Sequence, residues 1–483
     1  MSTIDLPSSI VRYESKQGRW VLLATILGSG MAALDATVVN IALPAIGREL
    51  GGDLATLQWT STGYTLTLSA FLLLGGSMGD RYGRRRIFLI GVAWFTLASV
   101  LCGIAPSNEA LIAARIVQGI GGALLTPGSL AILEASFHPD DRGRAIGAWT
   151  GWGGIAMSIG PLLGGYLIDA VSWRSIFLLN VPLAALVWWL TRRHVPETKD
   201  PASGRLDWIG APLAALALGG VTWSAIEAST LRSASVLAPL FVSGGCFAAF
   251  LWVERHSSHP LLPLAIFRNR QFSAANLVTL MVYAALSGSI FLLPIQLQQV
   301  LHYSALQSGV ALLPVIALML LLSAQAGKLC RRIGPRLPMT LGPLVVATGL
   351  SLLSRVGAGT SFFGGILPGL VVFGSGLSLT VAPLTITVLA AAPDEHAGIA
   401  SAINNAIART AGLLAVAVLP LAAGLSGASA IDPAEFAAGF RTAMLLSAAL
   451  CAAGGVVAFA TIRNPELDYM SQPPSGIDGG HSA

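Results

Sequence analysis

Runs of roughly twenty apolar residues recur along nearly the whole chain, interrupted only by short stretches rich in Gly, Pro and charge. At about 1.5 Å per residue a helix of that length crosses the roughly 30 Å hydrocarbon core of a bilayer. Composition agrees with such a fold, since 54% of the residues are hydrophobic and only 11% charged, against about 25% charge in soluble domains. Lipid is the solvent of this chain, and in lipid the backbone must satisfy its own polar groups. A soluble enzyme is thereby excluded.

Apolar windows place helices at about 20–43, 57–78, 87–105, 111–134, 144–168, 175–193, 208–227, 236–254, 272–300, 305–328, 337–356, 362–390, 399–424 and 440–462. The reading is an all-α polytopic membrane protein with fourteen transmembrane helices. Arg12, Lys16 and Arg19 precede a first run too long for a signal-peptide core, so that run reads as a retained span. An even count puts both termini on one face. Of the 28 Lys and Arg residues, twenty-one fall on that face and five on the other (Arg48, Arg174, Arg232, Arg355 and Arg441), while Arg115 and Arg409 lie inside spans. This asymmetry makes both termini cytoplasmic and accounts for the net charge of +5 without a nucleic-acid partner. No loop exceeds about 20 residues and no GxxxxGK[ST] phosphate loop occurs, which leaves no machinery for ATP on this chain.

Cys102, Cys246, Cys330 and Cys451 stand singly in or beside apolar segments and read as free thiols. The close pair His256 and His259 sits in a polar loop without a ligand cluster, so no metal is expected.

Gly76-Ser-Met-Gly-Asp80-Arg81-Tyr-Gly83-Arg84-Arg85-Arg86 after the second helix is echoed by Gly327-Lys-Leu-Cys-Arg331-Arg332-Ile-Gly334-Pro-Arg336 after the tenth, 251 residues on. The chain therefore divides as six helices, an inserted pair and six more. The corresponding units are 1–193, a linker 194–271 with two extra helices, 272–462, and a tail 463–483. Parallel repeats of this kind build a central site between two rocking halves.

These residues resemble the major facilitator superfamily, and within it the fourteen-helix drug/proton antiporters. The loop Gly76 to Arg86 is similar to the GxLaDRxGRR signature, with Met78 replacing the usual Leu and Gly79 the usual small Ala. Leu34-Asp35-Ala-Thr37-Val-Val-Asn40-Ile-Ala-Leu-Pro44 resembles the first-helix signature of the fourteen-helix branch, and Arg115-Ile-Val-Gln118-Gly119-Ile-Gly121 the fourth-helix RxxQG element. Gly154 with Gly160-Pro161-Leu-Leu-Gly164-Gly165 resembles the fifth-helix antiporter signature. The second copy has Arg331 where the first has Asp80, so only the first reads as a full gating loop.

The resemblance implies an exporter of hydrophobic or amphiphilic compounds, driven by protons through alternating access in a bacterial inner membrane. It implies no cofactor beyond the proton gradient, and no feature calls for a periplasmic partner. An importer, or a carrier of one metabolite or lipid, is the alternative. A charge at the bilayer centre costs at least about 2.5–3.5 kcal/mol and so has a task there. Asp35 is the carboxylate placed well inside a span, which makes it the candidate proton carrier. From helix centres, Asp35 lies about 6 Å and Arg115 about 12 Å toward the outer face, a gap an arginine can bridge. Gly76, Asp80, Arg81, Gly83, Arg84 and Arg85 form the expected cytoplasmic gate, with Asp80 either stabilising a neighbouring helix N-terminus or pairing with an arginine across it. Gly154, Gly160, Pro161, Gly164 and Gly165 give helix five a close-packing face. Asn40, Gln118, Asn404, Asn405 and Arg409 are the expected cavity polar groups. With one acid against two arginines at mid-span, the cargo is expected to be neutral, zwitterionic or anionic.

Overall fold

Short polar side chains mark where each helix can start. Ser15, Asp53 and Ser107 accept hydrogen bonds from the backbone N–H groups of Gly18, Thr56 and Ala110, and Ser304 closes a capping box with Gln307. A computed structural model describes residues 10–200, 207–228, 234–257, 262–392, 397–425 and 432–464. Arg205, Arg232, His259 and the tail beyond Asn464 lie outside the described residues.

The first half comprises α1 (Lys16–Leu50), α2 (Leu54–Tyr82), α3 (Arg84–Gly103), α4 (Asn108–Ser136), α5 (Pro139–Ala170) and the broken helix α6 (Arg174–Leu178) with α7 (Asn180–His194). Two helices follow, α8 (Gly210–Ile226) and α9 (Ala234–His256). The second half comprises α10 (Arg270–Gln299), α11 (Ala305–Ala311) leading into α12 (Leu313–Ile333), α13 (Arg336–Leu353), α14 (Leu367–Ala390), α15 (Ala397–Ala422) and α16 (Pro433–Thr461). Twelve spans among the described residues are long and apolar enough to cross a membrane. Two of the fourteen expected helices fall outside that set. The 29-residue α2 carries Gln58, Thr60, Thr62 and Thr67 among its apolar residues, and α8 is apolar but only 17 residues long.

Lipid tails are as apolar as leucine, so helices here are joined by close packing at small residues. Gly121 of α4 lies on the Phe95 backbone of α3, and Gly349 of α13 lies on the Phe373 backbone of α14. The same pairings recur in both halves: α2 with α4 and α12 with α14, α1 with α5 and α10 with α15, α3 with α7 and α13 with α16. The inserted pair packs on itself, with α8 also touching α2 and α15.

The repeat extends to backbone torsions. Gly83 and Gly334, 251 residues apart, adopt φ of +115° and +81°. Each is covered by a side chain from beyond the sixth helix of its own half. Glu197 accepts from Arg85 N–H at 3.1 Å, and Asn464 accepts from Arg336 N–H at 3.1 Å. The second loop therefore keeps the geometry of the first although Arg331 replaces Asp80.

The halves meet at the face opposite the N-terminus. There Gln58 donates to the Val416 carbonyl at 2.7 Å, Gln298 donates to the Ile41 carbonyl at 2.9 Å, and the Asp169 carboxylate accepts from Ala305 and Leu306 N–H at 3.1 and 2.9 Å. Along α5 the contact loosens toward the N-terminal face. A Cβ on Gly165 would stand 2.6 Å from Leu306, one on Gly154 3.4 Å from Leu320, and ones on Gly151 and Gly147 would meet nothing within 4 Å. The bundle is closed at the far face and open at the N-terminal face.

A Cβ at Gly83 would lie 2.6 Å from the Glu197 carboxylate as well as in a forbidden torsion. Gly83→Ala is expected to destabilise the protein by about 1–3 kcal/mol, read as a lower unfolding midpoint in detergent. Gly76→Ala, whose Cβ finds Pro127 at an ordinary 3.6 Å, is expected to leave that midpoint in place.

Candidate functional site

Asp35 and Arg115 meet in the first half, where Arg115 Nη1 lies 2.6 Å from Asp35 Oδ2 and the two residues are 1% and 3% exposed for Arg115 and Asp35 respectively. Arg115 also donates through Nε to the Thr60 carbonyl at 3.2 Å and through Nη1 to Gln118 Oε1 at 2.7 Å. Its guanidinium lies 4.4 Å from the Tyr64 ring centroid and 5.7 Å from that of Phe177. Asp35 Oδ1 accepts from Gln118 Nε2 at 2.9 Å and from Asn180 Nδ2 at 3.4 Å. Asn180 in turn donates to Ser99, which donates to the Phe177 carbonyl. Groups from α1, α2, α3, α4, α6 and α7 thus contribute to one buried cage, and every partner of Asp35 in it donates to the carboxylate.

Gln118, expected to face the cavity, is instead fully buried in this cage. Asn404, also expected there, donates to Asn276 at 3.0 Å and Thr279 at 2.7 Å on α10, so it ties two helices together. Asn40 accepts from Ser61 between α1 and α2, and Asn405 is exposed on α15 with its amide donated to the Ser401 carbonyl. Arg409 is partly buried, with an Nε that has no hydrogen-bond partner.

Among the described residues Asp80 has no ion pair across the N-terminal face. Asp80 holds Arg84 of the same loop at 2.8 Å, and its carbonyl accepts from Asp200 N–H. Arg85 pairs with Glu197 at 3.7 Å and donates to the Val195 carbonyl, while Arg81 lies over the Tyr82 ring. The loop is fastened to the chain after α7 within its own half. The small residues of α5 also divide their work. Gly160 and Gly164 bring α1 close through Thr37 and Val38, whereas Gly165 and the Pro161 carbonyl receive α11 at Ala305, Leu306 and Gly309.

Residues 25–417 match the sequence pattern of the Major Facilitator Superfamily. The chain belongs to this superfamily. It is 38% identical over 401 residues to the multidrug resistance protein Stp of Mycobacterium tuberculosis (strain CDC 1551 / Oshkosh), covering 82% of this chain and 74% of that one. It is 35% identical over 428 residues to the tetracenomycin C resistance and export protein of Streptomyces glaucescens, covering 86% and 79%. Among solved structures, an inward-facing bacterial homologue of the human lysosomal transporter Spinster superposes with a TM-score of 0.66 at 17% identity, over 93% of this chain and 97% of that one, a likeness of fold. The protein is accordingly a multi-pass facilitator of the kind whose relatives are named for drug and antibiotic resistance.

Within this facilitator, sequence reasoning passed over Tyr64, Asn180, Gln58, Gln298 and Asp169. Each is a polar or aromatic side chain whose partner lies far along the chain, as with Gln58 and Val416. The available signal was an amide or carboxylate inside or at the edge of a span, where an unmet polar group is expensive.

Breaking a buried ion pair from one side strands the other charge, at a cost of about 3–5 kcal/mol. Arg115→Leu alone is expected to lower the unfolding midpoint more than the double replacement Asp35→Leu/Arg115→Leu. Equal or greater loss in the double variant would show that the pair is not the dominant interaction of the cage.

Proposed function

We propose that this protein is a proton-coupled exporter of amphiphilic small molecules, with fourteen membrane crossings and both termini in the cytoplasm of a bacterial inner membrane. The observation that carries the coupling is the Asp35 to Arg115 pair, in which the carboxylate is enclosed by donors from α4 and α7. The charge asymmetry of the loops supports the orientation, and the fifth-helix glycines together with the relatives named as export and resistance proteins support the direction. In that orientation the open face is cytoplasmic, the side from which an exporter loads.

The cage is mechanically close to the closed gate. Arg115 holds the Thr60 carbonyl on α2, two residues from Gln58, which reaches across to α15. Asp35 lies on α1 about 9 Å along the helix from Ile41, whose carbonyl receives Gln298 of α10. A proton on Asp35 removes the attraction that holds Arg115 and frees α1 and α2 to shift relative to these bonds. In the cycle we infer, Asp35 takes up its proton from outside while the far face is open. Cargo loads from the cytoplasm as that proton leaves, and renewed pairing with Arg115 accompanies the return.

Two measurements test this reading. Addition of tetracenomycin C or a similar amphiphile to weakly buffered purified protein is expected to release protons, and folded Asp35→Asn is expected to release none. Normal release by that variant would make Asp35 structural; uptake rather than export in energised vesicles would favour the importer. Second, Gly151→Leu fills the space that α5 needs when the cytoplasmic face closes. It is expected to fold normally, bind cargo and lose at least about 90% of export, as a transporter held in one of its two states does.

A further inference from the structure

The two mid-span arginines are treated differently by the fold. Arg115 is neutralised by Asp35, but Arg409 on α15 has no carboxylate partner among the described residues, and its Nε is buried without a hydrogen-bond partner. The ionisable groups within its electrostatic reach are two phenols, Tyr64 of α2 and Tyr283 of α10. Both Arg409 and Tyr283 keep part of their surface accessible, although they lie deep in the bundle. Asn404 gives its amide N–H groups to Asn276 and Thr279 on α10, and no hydrogen bond joins it to Arg409 Nε. A lone guanidinium at membrane depth carries a penalty of several kcal/mol, and its planar fork matches a carboxylate or sulfonate.

We propose that Arg409 is an anion subsite of the transport path, receiving the ionised acidic group of an amphiphilic cargo that enters from the open face, with Tyr283 beside the cargo's apolar rings. This deepens the export reading and rests on it for the route by which the ligand arrives.

The test uses two probes with the same ring system, 8-anilinonaphthalene-1-sulfonate and the uncharged N-phenyl-1-naphthylamine, with binding to the purified protein read by energy transfer from tryptophan. The parent is expected to bind the sulfonate about tenfold more tightly than the amine. That ratio is expected to fall to about one in Arg409→Gln and to be largely kept in Arg409→Lys. Equal binding of the two probes by the parent overturns the proposal, as does a preference that survives Arg409→Gln. If Arg409→Gln does not purify in folded form, competition on the parent decides: naphthalene-1-sulfonate is expected to displace the probe and 1-naphthalenemethanol not, and equal displacement overturns the subsite. Proton-linked flux of both probes in vesicles of the parent is read separately. Absence of proton-linked flux for both the amine and the sulfonate, alongside an intact sulfonate preference, would overturn export and leave the subsite standing.

Discussion

A charge taken out of water has to be met by something fixed, and in this chain that demand falls most heavily on the contact between Asp35 and Arg115. The contact organises more than itself. Arg115 fixes the Thr60 carbonyl of α2, Asp35 fixes Gln118 of α4 and Asn180 of α7, and Asn180 passes the constraint to Ser99 of α3. The first half is thus arranged around one ion pair, whereas among the described residues the second has no buried counterpart to it, and Gly349, Gly374 and Gly376 pack against neighbouring helices there. Duplicated architecture has been given unequal chemistry.

What could be read in advance was whatever hydrophobic length and charge position determine. The placement of most spans, and a gap between Asp35 and Arg115 short enough for an arginine to bridge, follow from counting residues in lipid. Helix ends were less legible: α2 runs from Leu54 to Tyr82, beyond the apolar window 57–78, because Asp53 caps it and the polar residues at its ends still favour helix. Asp80 could be placed in a gating loop, but its partner could not, since a sequence does not say which face is open. Gln118 and Asn404 were recognised as polar groups inside spans, yet the choice between lining a cavity and joining helices depends on side-chain direction relative to neighbours far along the chain.

The closed gate has a distinctive composition. Gln58 and Gln298 bond to main-chain carbonyls of the other half, and Asp169 receives main-chain N–H groups at the start of α11. Side chains from one half therefore grip the backbone of the other, with no ion pair in these contacts to be dissolved before they part. The two bonds made by Gln58 and Gln298 are neutral and individually modest, while the Asp169 carboxylate makes the stronger charge-assisted contact. The heavier electrostatic bond is kept one step back, at the cage, where it sets the position of the two helices that carry Gln58 and Ile41.

The two matching hinges differ in one respect with a physiological edge. At Gly83 the backbone is covered by the Glu197 carboxylate among Arg84, Arg85 and Asp80; at Gly334 it is covered by the amide of Asn464. Mobile ions screen exposed charges over a Debye length of about 8 Å at physiological ionic strength, and they leave a neutral amide contact almost untouched. A change in the salt of the surrounding fluid therefore acts on the contacts at Gly83 more than on the amide contact at Gly334, so the two matching turns of a duplicated fold answer unequally to the same medium.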